Sequence, residues 1–319
     1  MGNTKNDSIL KIERMKQQTF GVEIEMNNIT RQKAAKIAAE FFGTGRTRYT
    51  GYGYSTYSAW DMQGREWKFA SDSSIIGPVD ERCEMVTPIL KYDDIETLQK
   101  LVRLLRKNGA KSSPSRHCGV HIHVGLKGLD GRDHNATTLR ILANMMASHE
   151  TQIGRAIHID RWRTDTYCKV VDPEFIARVN RERPDTMQKL ADVWYEANHA
   201  SYGRQQHYND SRYHMLNLHA SFTKGTIEFR LFQFQNENED RKGGLHAGEL
   251  KAYIQLCLAM SERAKSTKYA SPKPQQTENE KYALRCWLLN LGFIGDEFKT
   301  AREILMKNME GNAAWRFAM

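Results

Sequence analysis

Apolar and polar residues alternate over several short segments of the chain, and this pattern predicts β-strands. The first such segment is TFGVEIEM at 19–26, and two more follow at 65–72 and 82–90. HCGVHIHVG at 117–125 also has the pattern of a buried strand, although it carries three histidines. RYHMLNLHASF at 212–222 and GTIEFRLFQFQ at 225–235 predict two further antiparallel strands.

Helical spacing of apolar residues separates these strands. Thr30 is predicted to cap a helix that runs to about Phe42. Asp93 and Asp94 begin an amphipathic segment that Gly109 ends, with basic residues in its last turn. Longer helical patterns cover 133–158, 173–199 and about 243–265, whereas residues 43–58 predict a loop or a long hairpin.

The order of these elements predicts an α+β fold, because strands and helices do not alternate regularly as in a doubly wound sheet. We expect an N-terminal tail at 1–18 and a catalytic domain at 19–265. A polar segment with two prolines at 266–281 predicts a linker, and residues 282–319 predict a C-terminal helical segment.

Composition narrows the class of protein. With 319 residues, of which 40% are apolar, the chain can form a substantial core. No long apolar run or secretory signal is evident, so we expect a cytoplasmic protein without a membrane segment. Five dispersed cysteines without a CxxC pair do not suggest disulfides or a thiolate zinc site. The net charge of +9 favours an anionic partner.

Paired polar side chains are the main chemical signal of the predicted strands. Residues i and i+2 of a strand face the same side, so Glu23 projects with Glu25, and His121 projects with His123. Glu228 and Arg230 repeat this spacing in TIEFRLF. If these strands are neighbours in one sheet, their polar faces line a single bowl, which Asp72 and Glu84 could join.

Each pair alone is more typical of a solvated strand face than of a binding site. Their joint occurrence favours a metal site, because carboxylates held close together repel unless a cation lies between them. Several hard oxygen ligands with one imidazole suit Mg²⁺ or Mn²⁺.

Four segments carry a resemblance to a known family. GVEIEM, WKFASDSS with CEMVTPIL, CGVHIHVGL and YHMLNLHASFTKGTIEFRLF occur in this order, and together they resemble the family of putative amidoligases. That family is grouped with glutamate-cysteine ligase and glutamine synthetase as carboxylate-amine ligases. The resemblance covers about residues 19–255. It implies an antiparallel sheet folded into a half-barrel like the glutamine synthetase catalytic domain, with helices outside and with ATP and divalent metals bound inside.

The resemblance also implies roles for individual residues. The implied metal ligands are Glu23, Glu25, Glu84, His121 and Glu228. Arg230 would contact the transferring phosphate, and Asp72 would orient the amine or complete the metal shell. His123 and Asn217 are expected to contribute to cofactor or substrate binding.

The expected function is therefore ATP-dependent formation of an amide between a carboxylate and an amine, through an acyl phosphate. The substrates would be small molecules or peptides. Two alternatives stay open, namely a metal-dependent hydrolase that uses the His/Glu cluster, and a basic nucleic-acid-binding protein without catalysis. The acidic pairs disfavour the second, because binding of nucleic acid does not require them.

Overall fold

A computed structural model describes residues 2–51, 53–236 and 244–315. The chain forms two compact units. Unit 1 comprises Met1–Thr19, His123–Leu231 and Ala252–Met319, and unit 2 comprises Phe20–Ile122 and Phe232–Lys251. Both units are therefore built from segments that are distant in sequence. None of the described helices is long and apolar enough to cross a membrane.

The described part of the chain contains eight strands and eleven α-helices. The strands are β1 Gln18–Met26, β2 Thr47–Tyr49, β3 Tyr57–Trp60, β4 Glu66–Ala70, β5 Cys83–Val86, β6 Val120–Gly128, β7 Leu216–Asn217 and β8 Thr226–Phe232. The helices are α1 Gly2–Lys16, α2 Arg31–Phe41, α3 Ile95–Lys107, α4 Ala136–Ala156, α5 Arg161–Thr166, α6 Pro173–Glu182, α7 Met187–Ala197, α8 His219–Thr223, α9 Ala247–Ser266, α10 Glu280–Asn290 and α11 Lys299–Met306. The mixture of helices and antiparallel strands confirms the α+β class.

Unit 2 contains an antiparallel sheet with the strand order β2-β3-β4-β5-β1, followed by the first residues of β6. Helix α2 packs against β3, β4 and α3. Thr30 caps α2 as predicted, because its side chain accepts a hydrogen bond from the Lys33 amide at 3.2 Å. Alternation is clear in β1, where Val22 and Ile24, on either side of Glu23, are almost completely buried.

Unit 1 contains the rest of β6, followed in the sheet by β8 and β7. Its helices pack in pairs, with α4 against both α6 and α11, and α10 against α11. Arg132, just before α4, donates two hydrogen bonds to the buried Glu262 carboxylate on α9. This bidentate contact joins segments 130 residues apart, as arginine does well with carboxylates.

Two predicted elements differ in the structure. The helical pattern at 173–199 is divided into α6 and α7, because Pro184 has no amide hydrogen and the preceding Arg183 adopts a left-handed φ of 47°. Thr186 then caps α7. The strand predicted at 212–222 is reduced to β7, and the chain continues into α8 before Gly225, at φ 71°, leads into β8.

The segments near both ends of the chain contain helices. The segment expected to be a tail contains α1, and Met15 near the end of that helix is buried. Helix α9 ends at Ser266 and α10 begins at Glu280. The division into functional domains stays a prediction.

Candidate active site

Two carboxylates face each other directly across two strands of unit 2. Glu25 on β1 and Glu84 on β5 are register partners in the antiparallel pair. Side chains of directly opposed residues lie on the same face with Cβ atoms about 5 Å apart, and like charges at this spacing repel. Glu25 is 5% exposed, and its Oε2 accepts a hydrogen bond from the Gly119 amide at 2.5 Å. The sheet therefore holds two carboxylates close together, where their charges repel each other.

His121 on β6 joins this pair. Its Nδ1 lies 3.1 Å from Glu23 Oε2, and its Nε2 lies 3.8 Å from Glu25 Oε1. An ionised carboxylate can only accept a hydrogen bond, so Nδ1 is the donor to Glu23. In the neutral imidazole, Nε2 is then left with a lone pair on the side of Glu25. A carboxylate that fixes the ring through one nitrogen, while the other nitrogen binds a metal, is the usual arrangement of metal-bound histidines.

Glu25, Glu84 and His121 can together hold a divalent cation. Each offers one ligand atom, and these atoms all lie within 4.8 Å of one another. Two carboxylate oxygens and one imidazole nitrogen suit Mg²⁺ or Mn²⁺, which complete their shells with water or substrate oxygens. The donor set thus fits the metal that the sequence predicted. Within unit 2, Glu23 is placed to orient His121, and its role as a ligand stays a prediction.

The other predicted site residues on strands β6, β7 and β8 meet in unit 1. Glu228 is 1% exposed and pairs with Arg230 through Oε1, while its Oε2 accepts a hydrogen bond from Asn217 Nδ2 at 2.6 Å. Asn217 and Glu228 are register partners, which explains this contact. His123 Nε2 lies 3.9 Å from Glu228 Oε1, and its Nδ1 lies 3.0 Å from Thr226 Oγ1. Because Arg230 neutralises Glu228, this carboxylate offers less charge to a metal than an unneutralised one.

Asp72 lies in the loop after β4. Its Oδ1 accepts hydrogen bonds from the amide and the hydroxyl of Ser74, both at 2.7 Å. It does not belong to the group of close ligand atoms formed by Glu25, Glu84 and His121 among the described residues. These local contacts stabilise a turn. A role for Asp72 toward the amine stays a prediction.

Sequence reasoning missed the groups that hold the predicted side chains in place. The Gly119 amide fixes Glu25, and the Thr226 hydroxyl lies beside His123. Thr226 directly precedes the IEFR motif, so its place at the start of a strand was visible in the sequence. No sequence signal marks a backbone amide such as that of Gly119.

Opposed carboxylates with an oriented imidazole are typical of metal-dependent enzymes. Residues 16–261 match the model of a protein family described as "Putative amidoligase enzyme". Because this match spans most of the chain, the protein belongs to the amidoligase family, as the sequence motifs predicted. Membership supports a ligase-type function. No curated protein sequence matches the chain significantly.

Among solved structures, the chain is similar to the crystal structure of a bifunctional glutathione synthetase from Pasteurella multocida. The sequences are 15% identical and the TM-score is 0.45. The similarity covers 95% of this chain and 48% of that protein, so this chain spans about half of its length. This likeness is too distant to assign a function. The half-barrel of the glutamine synthetase type stays a prediction.

Proposed function

We propose that the protein is an ATP-dependent carboxylate-amine ligase that forms an amide through an acyl phosphate. Family membership supports the ligase class. The observation that carries the finer proposal is the opposed pair Glu25 and Glu84 with His121 beside it. Such a pair is favourable only when positive charge is present, and a ligase that uses ATP requires divalent metal to offset the charge of the phosphates.

Glu25, Glu84 and His121 would hold Mg²⁺ or Mn²⁺, with Glu23 orienting the imidazole. The metal would offset the negative charge of the phosphates as phosphoryl transfer proceeds. Low exposure of Glu25 and His121 supports this role, because electrostatic interactions are stronger where water is limited.

The proposed reaction has two steps. A carboxylate oxygen of the acid attacks the γ-phosphorus of ATP, and ADP leaves. The nitrogen of a neutral amine then attacks the carbonyl carbon of the acyl phosphate, inorganic phosphate leaves, and the nitrogen loses a proton. Amide formation in water is thereby coupled to cleavage of a phosphoanhydride bond.

The remaining predicted residues are proposed to take part in these steps. Arg230 would stabilise charge on the transferring phosphoryl group, since a guanidinium matches phosphate oxygens well. It is 4% exposed, and its Nε lies 3.5 Å from the Tyr167 carbonyl oxygen, so its position is restricted. Glu228 is proposed as a further metal ligand, with His123 and Asn217 as residues that bind cofactor or substrate. Asp72 is proposed to accept the proton of the amine.

The test is ADP release from ATP and Mg²⁺ with mixtures of amino acids, peptides and other small acids and amines. We expect release only when both an acid and an amine are present, and a product heavier than either substrate by mass spectrometry. Glu25→Gln should abolish turnover, because it removes a charged metal ligand. Glu96→Gln is the matched control, since it removes an exposed carboxylate that pairs with Lys100 on α3.

ADP release that is unchanged in Glu25→Gln would refute the assignment of this metal site. Metal-dependent cleavage of a supplied amide or peptide without consumption of ATP would indicate the alternative of a metal-dependent hydrolase. A protein that binds nucleic acid with a steep dependence on salt and consumes no ATP would indicate the other alternative.

A further inference from the structure

A small cavity lies in unit 1 beside the Glu228 and Arg230 pair. Its volume is about 10 Å³, which is room for one water-sized group. The polar residues that line it are Asn217, Glu228, His219, Arg212, His207, Thr223 and Lys224. Asn217, Glu228, His219 and Arg212 are buried, whereas His207, Thr223 and Lys224 are exposed. The cavity therefore has a buried polar floor, to which Arg212 belongs, and an exposed mouth that carries Lys224.

The floor contains an acceptor that the protein does not satisfy. Asn217 is 1% exposed, and its Oδ1 has no hydrogen-bond partner among the described residues. The orientation of the amide is fixed, because Glu228 Oε2 lies 2.6 Å away and a carboxylate can accept only from the Nδ2 side. A buried polar atom without a partner is costly, so a donor from outside the protein is expected here.

The neighbouring polar groups of the floor are already engaged. His219 Nδ1 lies 2.7 Å from the Tyr195 hydroxyl, and its Nε2 lies 3.1 Å from the Gln206 carbonyl oxygen. A carbonyl only accepts, so Nε2 donates to it and Nδ1 accepts from the tyrosine. Both ring nitrogens of His219 are thus used. His219 therefore has no ring nitrogen left to donate to Asn217 Oδ1, and a bound molecule can supply that donor.

The mouth of the cavity favours a negative group. Arg212 lines the cavity and donates through Nη1 to the His207 carbonyl oxygen at 3.0 Å. Its guanidinium also lies over the rings of Tyr208 and Tyr213. Lys224 is exposed and follows directly after α8. The exposed Lys224 attracts an anion from solvent, and the buried Arg212 adds a second permanent positive charge to the lining of the cavity.

We propose that this cavity binds the amine substrate, and that this substrate is an amino acid or another amine that carries a carboxylate. The amino group donates to Asn217 Oδ1 beside Glu228, and the carboxylate lies at the mouth near Lys224. An amino group is about the size of a water molecule, so it fits the volume. This inference rests on the proposed function for its role in the reaction.

Binding can be measured on the full chain by calorimetric titration, without ATP or metal. The probes are glycine, methylamine and acetate at constant ionic strength. We expect glycine to bind more tightly than methylamine, because only glycine also places a carboxylate at the mouth, and acetate to bind most weakly. Absence of glycine binding, or acetate binding as tightly as glycine, would overturn the proposal and leave a trapped water as the occupant.

Two variants locate the binding. Lys224→Met should weaken the binding of glycine about two- to fivefold, as expected for the loss of an exposed ion pair. The affinity for methylamine should not change. Lys127→Met is the control, because Lys127 is also exposed in unit 1 and does not line the cavity. Asn217→Leu should weaken both amines about tenfold or more, since it removes the acceptor.

If Lys224→Met and Lys127→Met change the affinity for glycine equally, this assignment is contradicted, even if Asn217→Leu fails to fold. Amine binding without any ATP turnover would instead mean that the proposed function fails while the cavity assignment stands. Amide formation by a protein that shows no glycine binding in this assay would mean the reverse.

Discussion

Glutamine substitutions at Glu84 and Glu228 should change stability in opposite directions. Glu84 faces Glu25, whereas Glu228 pairs with Arg230. In each case the substitution removes one negative charge and nearly conserves the shape of the side chain. Without metal, Glu84→Gln relieves repulsion and should stabilise the protein, whereas Glu228→Gln leaves Arg230 without its carboxylate and should destabilise it.

The magnitudes follow from the spacing of the charges. Ligand atoms of Glu25 and Glu84 lie within 4.8 Å of each other. Two unit charges at that distance repel by about 3 kcal/mol at an effective dielectric constant of about 20. His121 and the other contacts of Glu84 offset part of this repulsion, so we expect a gain of about 1 to 2 kcal/mol. Removing one partner of a buried ion pair costs about 3 kcal/mol, and both Glu228 and Arg230 are almost completely buried.

The assay is urea unfolding in a buffer with a metal chelator, followed by circular dichroism. The unfolding midpoint of Glu84→Gln should rise and that of Glu228→Gln should fall, with similar slopes. Glu96→Gln, on an exposed face of α3, should lie within about 0.5 kcal/mol of the original protein. A decrease in stability for Glu84→Gln would refute the claim that the opposed carboxylates repel in the absence of a cation.

Three further predictions concern single residues of the two units. Burial raises the pKa of Glu150 to about 7 from an ordinary value of 4.5, although the Val171 amide opposes this shift by donating to the carboxylate. Glu150 therefore keeps its proton to higher pH in the folded state than in the unfolded state, so the free energy of unfolding falls as pH rises from about 4.5 to about 7. Glu150→Gln should remove this fall and stabilise the protein by about 2 to 3 kcal/mol at pH 8. Urea unfolding at several pH values measures the effect. Thr30→Ala should cost about 1 kcal/mol in the same assay because α2 loses its cap, and Thr30→Ser should restore most of it. Glu23→Gln should lower the affinity for Mn²⁺ about 10- to 100-fold, because Glu23 orients His121. An unchanged affinity for Mn²⁺ would contradict that role.

Side-chain alternation predicted much of the candidate site. The i and i+2 rule correctly separated Glu23 and Glu25 from the buried Val22 and Ile24, because a strand offers only two faces. The rule describes one strand at a time, however. That Glu84 directly opposes Glu25 depends on the register between β1 and β5, which no local pattern specifies.

Errors in the predicted fold have local causes. The break between α6 and α7 falls at Arg183, directly before a proline, so the sequence did contain its signal. The change from β7 to α8 carries a weaker signal, because His219 to Ser221 are all buried and do not alternate. The unsatisfied Asn217 Oδ1 could not be predicted, since it depends on which side of the amide faces Glu228.

Binding of Mn²⁺, measured by electron paramagnetic resonance, tests the central claim most directly. The account predicts a bound Mn²⁺ whose affinity falls at least about tenfold in Glu25→Gln and in Glu84→Gln, whereas Glu96→Gln binds like the original protein. Competition by Mg²⁺ should release the bound Mn²⁺. Equal affinity in all four proteins, or no binding to the original protein, would contradict a metal centre formed by Glu25, Glu84 and His121.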